Sequence, residues 1–173
     1  MNYEKIITDD FKAVKLPFEK NEGNKYKKGA LLALTGEILV CRDMVHKKIA
    51  ELYIAKKKMP VDFSNAVVFY AGPSPTTPGK VTGSIGPTTS ARMDKYTDIM
   101  LKLGVRAFIG KGPRSAETND LIKKNNALYL VTFGGYAALL AQFVIKSETL
   151  AFDELGAEAL LKLEVARFPV VVN

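Results

Sequence analysis

One cysteine and one histidine, Cys41 and His46, stand in 173 residues, and that scarcity sets limits before any pattern is read. A lone thiol cannot form a disulfide within the chain. It also cannot support an iron–sulfur cluster, which takes three or four thiolates. A structural zinc site built from Cys and His is equally out of reach, so metal chemistry here would need most of its ligands from a partner. No apolar run reaches the roughly 18 residues of a membrane-spanning helix. The start, MNYEKIITDDFK, has no apolar stretch behind basic residues, so no secretory signal is read and a cytoplasmic protein is expected. There is no internal repeat, linker or low-complexity segment, and a single domain over residues 1–173 is expected.

What is present fits a globular chain: 47% hydrophobic and 25% charged residues. The net charge of +7 raises the question of nucleic acid. The lysines fall in short clusters, at 25–28 and 56–58, without interleaved aromatics or a recognisable binding signature. They read as solvated loops and helix ends on a mildly basic surface, one that also suits anionic substrates.

Along the chain, residues 6–14 alternate loosely as a strand, and 15–28 form a polar connection containing Pro17 and Gly23. Apolar runs at 31–34 and 37–41 flank Thr35-Gly36, which predicts a hairpin turn. Asp43 can cap a helix carrying Val45, Ile49, Leu52 and Tyr53 at helical spacing and ending in the lysines before Pro60. A strand at 66–70 leads into a Gly/Pro/Thr loop over 72–87. Met93, Tyr96, Met100 and Leu103 make one apolar stripe, predicting a helix over 89–103 that stops at Gly104. A strand at 106–109, a helix from Ser115 to Asn125 or Asn126, a strand at 128–133 and a short helix at 135–142 follow. The tail, 160–172, is β-rich and interrupted by Pro169. The fold class is α/β with an antiparallel portion at the start.

Three places share a strand end, a tight turn and a helix start. The first delivers Arg42, Asp43 and His46; the second delivers Thr88, Thr89 and Arg92; the third delivers Gly110, Lys111, Gly112, Pro113, Arg114 and Ser115. Ligands in α/β folds commonly bind beyond the carboxyl ends of strands, where helix N-termini offer free N–H groups. Cations at three such ends, Arg42, Arg92 and Lys111, suit a small polyanion. Arg92 follows Thr88 by four residues, so a hydroxyl and a guanidinium can share one face and hold a carboxylate. Plainer readings stand beside these: a Pro-Thr-Thr helix cap, surface charge at Arg92 and Asp94, a surface Lys111, an ordinary helix residue at His46 and a buried strand-end thiol at Cys41. Residues 72–80, GPSPTTPGK, mimic a phosphate loop. Their spacing is too long, Val81 stands where Ser or Thr belongs, and three prolines remove the N–H groups a phosphate needs.

The stretch FYAGPSPTTPGKVTGSIGPTTSARMDKYTDIML, then FIGKGPRS, then YLVTFGGYAALLAQ, resembles the β subunit of two-subunit class I fumarate hydratase and L(+)-tartrate dehydratase, or the C-terminal domain of single-chain class I fumarases. The upstream LTGEILVCRDMVHKK is similar to the same family, and the likeness covers about residues 30–172. The resemblance implies a swivelling β/β/α domain, a mixed sheet with flanking helices, paired with a helical α subunit that supplies the cysteines of a four-iron, four-sulfur cluster. It places Arg42, Arg92 and Lys111 on carboxylate-binding positions and Thr88 on the threonine proposed as catalytic base. Thr89 joins the binding set, with Asp43, His46, Gly86, Ser90 and Gly112 as supporting residues and no metal ligand in this chain. Ala91 stands where glycine is common in the family, and Pro113 where asparagine is common. The resemblance further implies a dicarboxylate substrate, fumarate/malate or tartrate, and a hetero-oligomer of two αβ pairs, with no nucleic-acid or membrane partner. From a different class, a non-catalytic dicarboxylate-binding or assembly module uses the same three turns.

Overall fold

Short strands made almost wholly of apolar residues form the centre of the molecule, as expected of parallel strands covered on both faces. The computed structural model describes residues 7–19 and 22–173. In chain order the elements are β1 (Lys12–Lys15), β2 (Leu31–Val40), α1 (Asp43–Ile54), β3 (Val67–Phe69), β4 (Ala71–Pro73), β5 (Ile85–Pro87), α2 (Thr97–Lys102), β6 (Ala107–Gly110), α3 (Ala116–Lys124), β7 (Leu128–Val131), α4 (Ala137–Leu140), β8 (Val144–Ala151) and β9 (Leu160–Val172). Four short 3-10 segments, Glu22–Lys25, Ser90–Tyr96, Ala141–Phe143 and Asp153–Glu158, lie between them.

The main sheet is mixed, in the order β1-β2-β3-β6-β7-β9-β8. The first four pairings are parallel, while β9 runs antiparallel to β7, β8 and β2. Because β9 pairs with both β7 and β2, the path β2-β3-β6-β7-β9 returns to its starting strand and the sheet closes on itself.

Alternation along each strand then sorts side chains to two sides. Val67, Phe69, Ala107, Ile109, Leu128 and Leu130 face one core with Phe168 and Val170 of β9. Their neighbours Val68, Phe108 and Tyr129 face the other, with Val45 and Ile49 of α1, Met100 of α2 and Ile122 of α3. A mixed sheet flanked by helices is the architecture, as the resemblance implies, but its antiparallel portion is built by β9 and not at the start of the chain, where β1 and β2 run parallel. Each fully buried large apolar side chain contributes roughly 1.5–3 kcal/mol relative to exposure.

Several local expectations need correction. Thr35-Gly36 is no hairpin: β2 runs through it, and the register against β9 shifts between Leu34 and Gly36. Gly36 has φ +136°, and a Cβ there would lie 2.8 Å from the Cβ of Leu16, so the glycine permits a bulge with β1's end pressed against it. The helix expected over 89–103 begins as the 3-10 segment Ser90–Tyr96 and becomes α-helical only in α2, ending at Gly104 with φ +105°. Pro169 does not interrupt β9; its carbonyl accepts the hydroxyl of buried Thr132 at 2.8 Å. Strand β8, an edge strand with mostly exposed or half-buried positions, falls where the sequence pattern names no element.

The expected strand at 6–14 is shorter, being β1 alone, and residue 6, like residues 20 and 21 of the 15–28 connection, lies outside the described residues. The 72–87 loop is pinned at its base, where β4 and β5 pair antiparallel. Among the described residues no helix is long and apolar enough to cross a membrane.

Candidate anion-binding site at three strand ends

Parallel order places the ends of β2, β3 and β6 side by side. The turns after β2 and β6 open there, and the turn after β5 is brought to the end of β3 by Thr88, whose amide donates to the Tyr70 carbonyl. Direct contacts join all three turns. Arg92 Nη2 lies 3.1 Å from Asp43 Oδ2, tying the second turn to the first. Thr89 bridges Lys111 in parallel register, and the Ser90 amide donates to the Lys111 carbonyl at 3.0 Å, tying the second to the third.

Ser90 is the latch. Its hydroxyl oxygen accepts the Lys111 amide at 3.1 Å and lies 2.9 Å from the Tyr129 hydroxyl. Tyr129 Oη is also 2.6 Å from the Gly112 carbonyl, which can only accept, so the tyrosine proton goes there and the Ser90 hydroxyl donates to Tyr129. Gly110 makes room for this latch. A Cβ on it would stand 1.9 Å from Ser90 Oγ and 2.9 Å from Tyr70 Cδ2. Gly112 takes φ +78°, the left-handed region glycine allows, and turns the chain back after Lys111.

Beneath the turns lies a buried cation. The Arg114 side chain is wholly excluded from solvent, with Nε 2.5 Å from Asp94 Oδ1, Nη2 2.5 Å from Thr97 Oγ1 and Nη1 3.1 Å from the Tyr70 hydroxyl. The rings of Tyr70, Tyr129 and Phe108 surround its guanidinium at 5.3 to 5.9 Å. Asp94 Oδ2 accepts the Ser115 amide at 2.9 Å, which leads into α3. Burial opposes the Asp94 charge, but that amide and the guanidinium outweigh it and hold the carboxyl below its ordinary value. Asp94 and Arg114 therefore lock the second turn to the third from below, so Asp94 is not the surface charge of the plain reading.

The predicted residues separate into an exposed group and a buried one. Thr89, Arg92 and Lys111 are exposed, Arg42 and Thr88 half-buried. Among the described residues no Asp or Glu pairs with Lys111, whereas Arg42 and Arg92 each have one, Glu158 and Asp43. Thr88 is not a helix cap. Its amide and hydroxyl both donate to the Tyr70 carbonyl, at 2.7 and 3.0 Å. Thr89 takes the N-cap position, again without a side-chain cap bond, and Arg42, not Asp43, precedes α1. The helix expected from Ser115 begins there, with Ser115 as its N-cap accepting the Thr118 amide at 3.1 Å.

His46 is buried, stacked at 5.7 Å on Tyr96 and set edge-on to Tyr70. Its Nδ1 lies 2.8 Å from the Arg42 carbonyl, so the proton sits on Nδ1, and buried Nε2 finds no partner among the described residues. Burial drives its pKa down to about 4, against the pull of that carbonyl. It thus buttresses Arg42's backbone rather than its guanidinium. Gly86 sits in β5, where a Cβ would meet the Ala137 Cβ at 2.9 Å, so its place is in the packing of β5 against α4.

Cys41 is fully buried, and burial pushes its thiol pKa far up, away from thiolate chemistry. Among the described residues no three His, Cys, Asp or Glu side chains are grouped to hold a metal. With Cys41 the single cysteine and buried, the described residues do not fit an iron–sulfur cluster.

Sequence reasoning missed Glu158, Tyr70 and Tyr129. Tyr129 left a signal, a hydroxyl inside the apolar strand LYLV, since a buried tyrosine needs a partner. Glu158 left none, because its partner Met44 is 114 residues away and Arg42 further still.

The fold and the three turns define an α/β domain with a cationic, helix-supported edge. The family model of the fumarase C-terminus matches residues 3–173, and the chain belongs to that family. It is 42% identical over 151 residues to "Fumarate hydratase class I, anaerobic" of Escherichia coli K12, covering 86% of this chain and 28% of that protein. Against "Fumarate hydratase 2" of Leishmania major the identity is 39%, over 92% of this chain and 29% of that protein. The chain thus spans less than a third of these relatives. Against the "Putative L(+)-tartrate dehydratase subunit beta" of Methanocaldococcus jannaschii it is 38% identical, over 88% of this chain and 82% of that one.

Proposed function

We propose that this chain is the substrate-gripping part of a hydro-lyase that reversibly hydrates fumarate to L-malate, working as a β subunit with a cluster-bearing α partner. The observation carrying the reading is the direct linkage of the turns bearing Arg42, Thr88 and Arg92, and Lys111 at one sheet edge. In this reading Arg42, Arg92 and Lys111 hold substrate carboxylates by charge-assisted hydrogen bonds, each contributing roughly 1.5–3 kcal/mol. Thr89 lies beside Lys111 and would add a hydroxyl to the same grip.

Hydration and its reverse move a proton at the carbon next to a carboxylate, and negative charge spreads onto that carboxylate as the proton leaves. Cations already fixed there lower the barrier more than they tighten ground-state binding. Thr88 would handle the proton. With its hydroxyl donating to the Tyr70 carbonyl, its lone pairs are available to an incoming group, but an alkoxide would face that carbonyl at 3.0 Å. Acting as base therefore requires this bond to break and the nearby cations to stabilise the oxyanion. The four-iron, four-sulfur cluster implied by the resemblance would sit in the α partner, and the steps assigned to this chain are gripping, orienting and proton handling. Two αβ pairs in the cytoplasm would complete the assembly.

Similarity to a protein named as a tartrate dehydratase β subunit supports a second reading, in which the same grip serves L(+)-tartrate. Anaerobic co-expression with the α subunit, followed by assays on fumarate, malate and tartrate, tests both. Turnover of fumarate and malate supports the first reading and turnover of tartrate alone the second. Turnover of none by an intact, cluster-loaded complex rejects the enzyme and leaves a dicarboxylate-binding module. Within an active complex, Thr88→Ala retaining near-normal turnover while Arg92→Ala loses it would reduce Thr88 to positioning.

A further inference from the structure

Arg42 does not reach the sheet edge unsupported. Its side chain lies across the backbone of Gly72 in β4, where a Cβ would stand 2.7 Å from Arg42 Cδ and 2.8 Å from Nη1. The same point is 3.2 Å from the Ala157 carbonyl oxygen, so strand and strap close together around the arginine. Next along the strap, Glu158 divides its carboxylate. Oε2 accepts the Met44 amide at 3.2 Å, in the first turn of α1, and Oε1 faces Arg42 Nη2 at 3.6 Å. The Glu158 carboxylate is thereby anchored on a helix N-terminus, where its charge is favoured.

The strap itself, Asp153–Glu158, buries none of its side chains. It is held to α1 by this contact and by Lys48–Glu154 at 2.7 Å. Half-exposed ion pairs of this kind add little to folding stability. Their consequence here is orientation: an arginine held in place before its ligand arrives loses less rotamer freedom on binding. Glu158 faces Nη2 while Arg42 Nε is buried without a partner among the described residues, so only the Nη donors are left to meet a ligand.

We propose that Glu158 and Gly72 are positioning residues that form a slot for Arg42 and fix the direction in which its guanidinium meets a substrate carboxylate. The proposal rests on the function proposed above, because it takes Arg42 as a carboxylate ligand. Glu158→Gln keeps the length but a single acceptor oxygen, which can serve the Met44 amide or Arg42 and not both. Glu158→Ala removes both contacts, and Gly72→Ala pushes Arg42 out of the slot from the opposite side.

Steady-state kinetics of the assembled αβ enzyme with its dicarboxylate, together with thermal melting of each variant, provide the test. Arg42→Ala serves as reference and raises KM by about 100-fold. Glu158→Ala and Gly72→Ala each raise KM by about tenfold, with kcat within about twofold and unchanged melting, and Glu158→Gln falls between Glu158→Ala and wild type. If Arg42→Ala raises KM while Glu158→Ala and Gly72→Ala do not, the slot is refuted and the function stands. If Arg42→Ala leaves KM unchanged, the role of Arg42 fails and the slot fails with it. Should Glu158→Ala lower melting, Gly72→Ala decides, since it perturbs only a flexible neighbouring side chain and the strap carbonyl.

Discussion

Arg114 Nε meets Asp94 Oδ1 at 2.5 Å with the arginine side chain fully excluded from water, and this pair holds together the two segments that carry Thr88, Arg92 and Lys111. Removing one partner of such a pair strands a buried charge, which typically costs 3–5 kcal/mol. Asp94→Asn is therefore expected to lower unfolding free energy by about 3 kcal/mol, read by denaturant titration. An unchanged midpoint would mean that Arg114 finds other partners.

Gly110 and Gly112 bracket Lys111 but should respond differently to alanine. At Gly110 the new Cβ collides with Ser90 Oγ, at 1.9 Å, and with the Tyr70 ring. Ser90 would be forced off both the Lys111 amide and Tyr129, and the expected outcome is poor folding and a cost of about 3 kcal/mol or more. At Gly112 nothing lies within 4 Å, and only the φ of +78° resists, at about 1 kcal/mol. Thermal melting of the two variants separates them.

Tyr129→Phe deletes the hydroxyl that bonds the Gly112 carbonyl and Ser90. A lost buried hydrogen bond costs about 1 kcal/mol, and the loosened loop carries Lys111. A modest fall in melting temperature is expected together with a severalfold rise in KM for the dicarboxylate. Equal KM values would separate the latch from the grip.

His46 gives the fold a pH dependence. Burial between Tyr70 and Tyr96, with Arg114 nearby, lowers its pKa to about 4, while Asp43 and the Arg42 carbonyl pull the other way. In the unfolded chain a histidine titrates near 6.5. Between these values the unfolded state binds more protons, so stability falls as pH drops from about 6.5 toward 4 and is flat above that window. Asp94, with its lowered pKa, adds a further loss only below the ordinary carboxylate range. Denaturant midpoints from pH 8 to 4 measure the first effect, and His46→Gln should flatten it.

Much of this arrangement is legible in the sequence, for reasons that differ by residue. Val67, Phe108 and Tyr129 announce buried strands by composition, and Ser115 and Gly104 mark helix ends through local chemistry. The three cationic turns are visible because each strand end and helix start lie close in sequence. What stays hidden is non-local. Thr35-Gly36 has the chemistry of a turn, and only pairing with a strand some 130 residues later makes it a bulge. Glu158 reaches the first turn of α1 across the whole fold, and Asp94 looks like surface charge until Arg114 arrives from the next turn. The resemblance supplies roles for Arg42, Thr88, Arg92 and Lys111, whereas the supports beneath them emerge only from contacts.

The central claim is that Arg42, Arg92 and Lys111 grip one dicarboxylate in the assembled enzyme. Its most direct test is kcat/KM for fumarate hydration by the anaerobically purified αβ complex, wild type against Arg42→Ala, Arg92→Ala and Lys111→Ala. Each variant is expected to lose at least about tenfold, with the complex intact, since each removes a charge-assisted hydrogen bond. Wild-type kcat/KM in all three would contradict the account.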